Sequence, residues 1–189
     1  MDAYTLPRYL CASFFSVYPV FIVGCDSPSD SHTPTISDGT LANLSYPIDV
    51  VSTGFVTLEQ GVYAEPAAPD SASMTRIELS PWTATGDLDD NGTNDAAVVL
   101  TVETGGTGTF FYLAVIVNEK GVPVAKASQY IGDRVIIETL SIDSGEITVG
   151  LKERAAGAPM TQNPDVKRIR IFRIMENQVV ELEGVKNVV

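Results

Sequence analysis

From Phe55 onward, short runs of β-branched and aromatic residues alternate with turn signals, and this limits the folds open to the chain. "SMTRIELS" sets Met74, Arg76 and Glu78 against Thr75, Ile77 and Leu79, the two-residue period of a half-buried strand. "DAAVVLTVE" and "FFYLAVIVN" are continuously apolar, as strands buried on both faces are. "TGGTGT" (Thr104 to Thr109), "NEKGVP" (Asn118 to Pro123) and "IGDR" (Ile131 to Arg134) read as turns. "DSGE" joins "VIIETLSI" to "EITVGL" as a hairpin. "FVTLEQGVY" opens the series as a strand or short hairpin, "VAKASQY" stands in its middle, and "VKRIRIFRI" and "VVELE" close it. No amphipathic stretch of helical length intervenes. The expected fold is all-β: a single antiparallel β-sandwich or strongly curved sheet of about eight or nine strands, with a partly open barrel as the alternative.

The chain before this region divides in two. Tyr9 to Gly24 carries no charge and follows Arg8, which reads as a signal peptide over residues 1–24. It is short for a membrane span, which needs about 20 apolar residues, and Pro19 would kink it. Residues 25–54 read as a tether and residues 55–189 as the β domain. "DSPSDSHTPTISDGT" (Asp26 to Thr40) is rich in Ser, Thr, Pro and Asp and would span roughly 20 Å as a flexible chain. Leu41 to Gly54 is more apolar and is expected to begin the fold or pack against it.

Ile22-Val23-Gly24-Cys25 resembles a lipobox, the cleavage signal of bacterial lipoproteins. The resemblance implies cleavage before Cys25 and fatty acylation of that residue, with palmitate-type chains. Two or more such chains hold a protein on a bilayer stably where one is marginal. It also places the domain in the cell envelope, anchored to the membrane through lipid. In Gram-negative lipoproteins an Asp after the modified Cys commonly retains the protein at the inner membrane, so Asp26 favours the periplasmic face of that membrane in such a host. Cys11 would leave with the signal peptide, so the mature domain would hold no free thiol and no disulfide.

The most distinctive polar stretch is "TGDLDDNGTNDAAVVL" (Thr85 to Leu100). Counted from Asp87, positions 1, 3, 5 and 9 are Asp87, Asp89, Asn91 and Asp95, with Gly92 at position 6. Alternate residues of a tightly wound loop converge their oxygens, and Gly supplies the sharp turn that calcium loops need. Thr93, at position 7, can add its carbonyl. The EF-hand pattern stops there, because position 12 is Val98 rather than Glu and a strand follows. The stretch instead resembles the D-x-D-x-D-G-x-x-D loops between strands of FG-GAP and similar β-repeat proteins, where Asp at position 9 closes the site. That resemblance implies a Ca²⁺ ion held by Asp87, Asp89, Asn91, Thr93 and Asp95, with affinity of about 10⁻⁴–10⁻³ M as in extracellular modules. The other reading is an acidic turn, since Asp-Asn-Gly reverses a chain unaided. Thr85 to Leu151 as a whole looks like a domain of uncharacterised bacterial lipoproteins, which implies a small secreted β domain and no particular activity.

A net charge of -12 repels phosphate backbones, so nucleic acid is excluded as a partner. The only histidine, His32, falls in the tether, which leaves the β domain no Ser-His-Asp triad, and Cys25 is spent on lipid. Paired carboxylates drawn from Glu103, Glu138 and Glu146 are the remaining catalytic candidates, as in a glycan hydrolase. The basic run Lys167, Arg168, Arg170 and Arg173 is expected to pair with acidic neighbours across strands. Trp82 is expected to pack in the core beside the acidic loop. The functional expectation is therefore a non-enzymatic binding or structural domain, with an envelope protein or glycan as partner. An envelope hydrolase is the alternative.

Overall fold

A computed structural model describes residues 36–182 and the backbone of residues 186–187. The expected signal peptide, Cys25, Asp26 and His32 lie outside the described residues. The described chain runs α1 (Asp38–Leu41), β1 (Ser45–Pro47), β2 (Phe55–Thr57), β3 (Val62–Pro66), β4 (Met74–Gly86), β5 (Asp95–Thr104) and β6 (Phe110–Glu119). It continues through β7 (Val122–Asp133), β8 (Ile136–Asp143), β9 (Glu146–Glu153), β10 (Val166–Met175), β11 (Gln178–Glu181) and β12 (Lys186–Asn187). The all-β expectation holds. β3 to β11 are the nine runs read from the sequence. "FVTLEQGVY" divides into β2, which pairs with β1, and the start of β3, which pairs with β4, while β1, β12 and the one-turn α1 are additional.

Two antiparallel sheets form a sandwich. The first has the order β3-β4-β5-β6-β7, and the second β11-β10-β9-β8, with β12 pairing β10. The alternation of side chains along β5 and β6 explains their unbroken apolar sequences. Ala97, Val99, Leu113, Val115 and Val117 face the second sheet, where they meet Ile147, Val149, Leu151 and Phe172. Ala96, Val98, Leu100, Ala114 and Ile116 point the other way. A strand apolar on both faces needs a cover on each, and residues 36–58 provide the second one. Leu41, Tyr46, Ile48, Val56 and Leu58 are at most 2% exposed on that outer face. The Tyr46 hydroxyl donates to the Leu41 carbonyl at 2.8 Å, and burial raises its pKa. Leu41 to Gly54, placed in the tether by the boundaries above but noted for its apolar character, thus forms a third layer of the fold.

The sandwich is curved enough to bring its edges together, with β4 beside β8 and β7 beside β11. The sheets remain separate in their backbone pairing, so it is not a barrel. Two features of β4 make this close approach possible. Its register with β5 breaks between Leu79 and Thr83, where Pro81 needs no ladder partner. The break turns Trp82 onto the inter-sheet core, as expected. At the end of β4, a Cβ on Gly86 would fall 2.5 Å from Ile142 Cγ2 of β8, so only glycine lets the two strands pass there. The acidic loop begins at the next residue.

Candidate metal centre

The loop joining β4 to β5 is wound by its own polar side chains. Asp87 accepts from the backbone N–H of Asn91 (Oδ1, 3.2 Å) and of Gly92 (Oδ2, 2.7 Å). Asp89 Oδ1 accepts from Asn91 N at 3.3 Å, and Asn91 Oδ1 from Thr93 N at 2.7 Å and from the Thr93 hydroxyl. Asp90 (φ 58°) and Gly92 (φ 80°) take the left-handed conformation that the reversal requires. Short Asp and Asn side chains that bond their own backbone favour this winding in sequence and structure alike.

The winding brings Asp87, Asp89 and Asp95 together, with one carboxylate oxygen of each within 4.8 Å of the others. Oxygens that share one calcium ion at about 2.3–2.6 Å lie no more than about 5 Å apart. The cluster can therefore hold a metal ion. Without one, three carboxylates this close repel one another, least for exposed Asp89, whose charge water screens. Asn91 and Thr93 follow on the same loop and line the cleft beside it. The Asn91 carbonyl oxygen already accepts from the Thr93 N–H and the Thr93 hydroxyl, so it would serve an ion only once that hydroxyl turns away.

Asp95 differs from its partners because it is fully buried. Its Oδ2 accepts from Leu88 N and its Oδ1 from Asn118 N, both at 2.8 Å. Desolvation raises its pKa, the two backbone donors work against that rise, and the charges of Asp89 and Asp87 add to it. Leu88, 5% exposed, plugs this end of the inter-sheet core. Asn118 opens the β6–β7 turn and accepts from Gly121 N at 2.8 Å. One carboxylate therefore fixes both the loop and the neighbouring hairpin. In the sequence Asn118 closes the run "FFYLAVIVN" and opens the turn "NEKGVP". Nothing local marks it, because its bond to Asp95 spans 23 positions.

The other polar candidates are engaged elsewhere. Glu138 pairs with Lys152 and Glu146 with Arg173, while Glu103 is exposed at the end of β5. Lys152 holds the Glu138 carboxyl below its ordinary range, opposite to the rise a general acid needs. Arg168 meets Glu153 at 2.8 Å and Arg170 meets Glu181 at 2.5 Å, the cross-strand pairing expected of the basic run. No protein-family model matches the chain, and comparison with curated proteins and with solved structures returns no match.

Proposed function

We propose that this is a membrane-anchored lipoprotein of the bacterial envelope whose β domain has a binding or structural role, is not an enzyme, and is stabilised by Ca²⁺. The observation that carries the reading is the convergence of Asp87, Asp89 and Asp95 on a loop rooted in the core through Asp95. Calcium suits it better than Mg²⁺, because flexible carboxylate, amide and carbonyl oxygens fit a large cation that tolerates irregular coordination. Asp87, Asp89 and Asp95 would hold the ion, with Asn91 and Thr93 as further oxygen donors. The ion would offset the repulsion among the three charges. The envelope location rests on Ile22-Val23-Gly24-Cys25 and on Asp26.

Calcium at about 1 mM is expected to stabilise the domain by about 0.4–1.4 kcal/mol at an affinity of about 10⁻⁴–10⁻³ M, or roughly 1–6 °C in Tm. Asp89→Ala should remove that gain. In chelator the variant should melt within about 2 °C of the parent, because only an exposed carboxylate is lost and its two repulsions, with Asp87 and Asp95, are screened by water. Differential scanning calorimetry reads both effects, and a parent Tm indifferent to calcium would refute the ion. For the anchor, Cys25→Ser should abolish incorporation of labelled fatty acid and release the protein from the membrane fraction. Labelling that survives would rule out Cys25 as the attachment point.

A further inference from the structure

We propose that Asn91 is a self-modification site: the Gly92 amide nitrogen attacks the Asn91 side chain when this loop opens, and the hydrogen bond from Gly92 to Asp87 sets how often that happens. The inference goes beyond the calcium reading and does not depend on it. Asn91-Gly92 is the one Asn-Gly pair in the chain. Elsewhere a side chain on the following residue crowds the attacking nitrogen, as Leu44 does after Asn43, Asp95 after Asn94, Glu119 after Asn118 and Gln178 after Asn177. Asn163 precedes Pro164, which has no amide proton to give up. Gly92 has no side chain, and a Cβ added there would meet no heavy atom within 4 Å, so the peptide stands clear of the fold on that side. Both residues are exposed, and water reaches them.

The reaction balances with water as its only reagent. The Gly92 nitrogen gives up its proton and bonds to Asn91 Cγ. The Cγ–Nδ2 bond breaks, and the side-chain nitrogen leaves as ammonia, carrying one further proton. Water then opens the cyclic imide at either carbonyl. One product is aspartate. The other is isoaspartate, in which the main chain runs through the former side chain and gains a methylene. Nothing is oxidised or reduced.

The wound loop opposes the first step. The Gly92 N–H donates to Asp87 Oδ2 at 2.7 Å. That bond holds the proton that must leave, and the carboxylate charge disfavours the amide anion left behind. Asn91 Oδ1 accepts from Thr93 N at 2.7 Å and from the Thr93 hydroxyl, which carries the side chain past Gly92 and fixes it there. The Asn91 N–H is held by Asp87 and Asp89 in turn. Exposed bonds of this kind open locally without global unfolding. Modification therefore runs at the free-chain rate multiplied by the fraction of time the loop is open.

The test incubates the full chain in chelator at neutral pH, folded and in guanidinium, and follows the peptide holding Asn91 by mass spectrometry for exchange of the side-chain NH₂ by OH. Isoaspartyl methyltransferase labels the second product. Hydrogen exchange of the Gly92 N–H measures the open fraction independently. The expected result in the folded chain is modification at Asn91 alone. It should be slower than in guanidinium by at least about fivefold, a factor matching the Gly92 protection within about threefold. Asp87→Ala should speed the folded-state reaction by at least about threefold and lower the protection in step, with a melting curve to show that the variant is folded. Equal rates folded and in guanidinium overturn the gate. A folded chain that stays unmodified while the Gly92 proton exchanges overturns the site, and so does change at another asparagine instead. An unaltered rate in folded Asp87→Ala removes Asp87 from the gate. If that variant does not fold, the match between rate and protection in the parent decides.

Discussion

Asp95→Ala is expected to lower the Tm by roughly 5–15 °C in chelator, and by more in calcium, where the gain from the ion is lost as well. The residue is fully buried, and each of its oxygens takes one backbone donor, Leu88 N and Asn118 N. Alanine leaves both N–H groups without their acceptor in a buried site, at about 1–3 kcal/mol each. In a domain of this size each kcal/mol moves the Tm by about 2–4 °C, and the lower end applies if water enters to serve the donors. Asp95→Asn keeps one acceptor, so about half the loss should remain, and its neutral amide should also end the response to calcium. Calorimetry with and without chelator separates this behaviour from that of Asp89→Ala, where only the calcium response disappears. A Tm for Asp95→Ala within about 2 °C of the parent in chelator would remove Asp95 as the anchor of this end of the sandwich.

That contrast between two aspartates of one loop shows what was legible in the sequence. The spacing of Asp87, Asp89 and Asn91 about Gly92 is local. A loop wound by Asx bonds follows from residues a few positions apart, so the convergence could be read directly. The division of labour between exposed Asp89 and buried Asp95 could not be read. It depends on Asn118, which the β5–β6 pairing brings alongside, and on Leu88 entering the inter-sheet core. The same limit applies to the fold. The continuous apolar runs of β5 and β6 announce strands covered on both faces. Their outer cover comes from strands of three residues and a single helical turn, too short to carry a periodicity. Only the apolar character of Leu41 to Gly54 hinted at it.

Arg170→Ala is expected to destabilise the domain by about 2–4 kcal/mol, because this side chain closes the sandwich at its second edge. Arg170 stands on β10 and forks onto Glu181 of β11, Nε to Oε1 at 2.7 Å and Nη2 to Oε2 at 2.5 Å. Its Nη1 donates across the edge to the Ile131 carbonyl on β7 of the first sheet, at 2.6 Å. The guanidinium also lies 5.1 Å from the centre of the Phe172 ring, itself fully buried. Three groups thus converge on a side chain only 16% exposed, which separates it from the run's more exposed ion pair, Arg173 with Glu146. Truncation frees the Glu181 carboxylate and leaves the Ile131 carbonyl without this donor. The partial exposure of Glu181, 31%, holds the loss below that of a fully buried pair. Arg170→Lys should recover less than half, because an ammonium cannot make the two-pronged contact and the carbonyl contact together. Denaturant unfolding of Arg170→Ala, Glu181→Gln and the double variant yields the coupling between the two residues. A value of about 1–2 kcal/mol is expected for a pair in contact and largely shielded from water. A total loss below about 0.5 kcal/mol for Arg170→Ala would place it among ordinary surface ion pairs and leave the β7–β11 edge to be held by apolar packing alone.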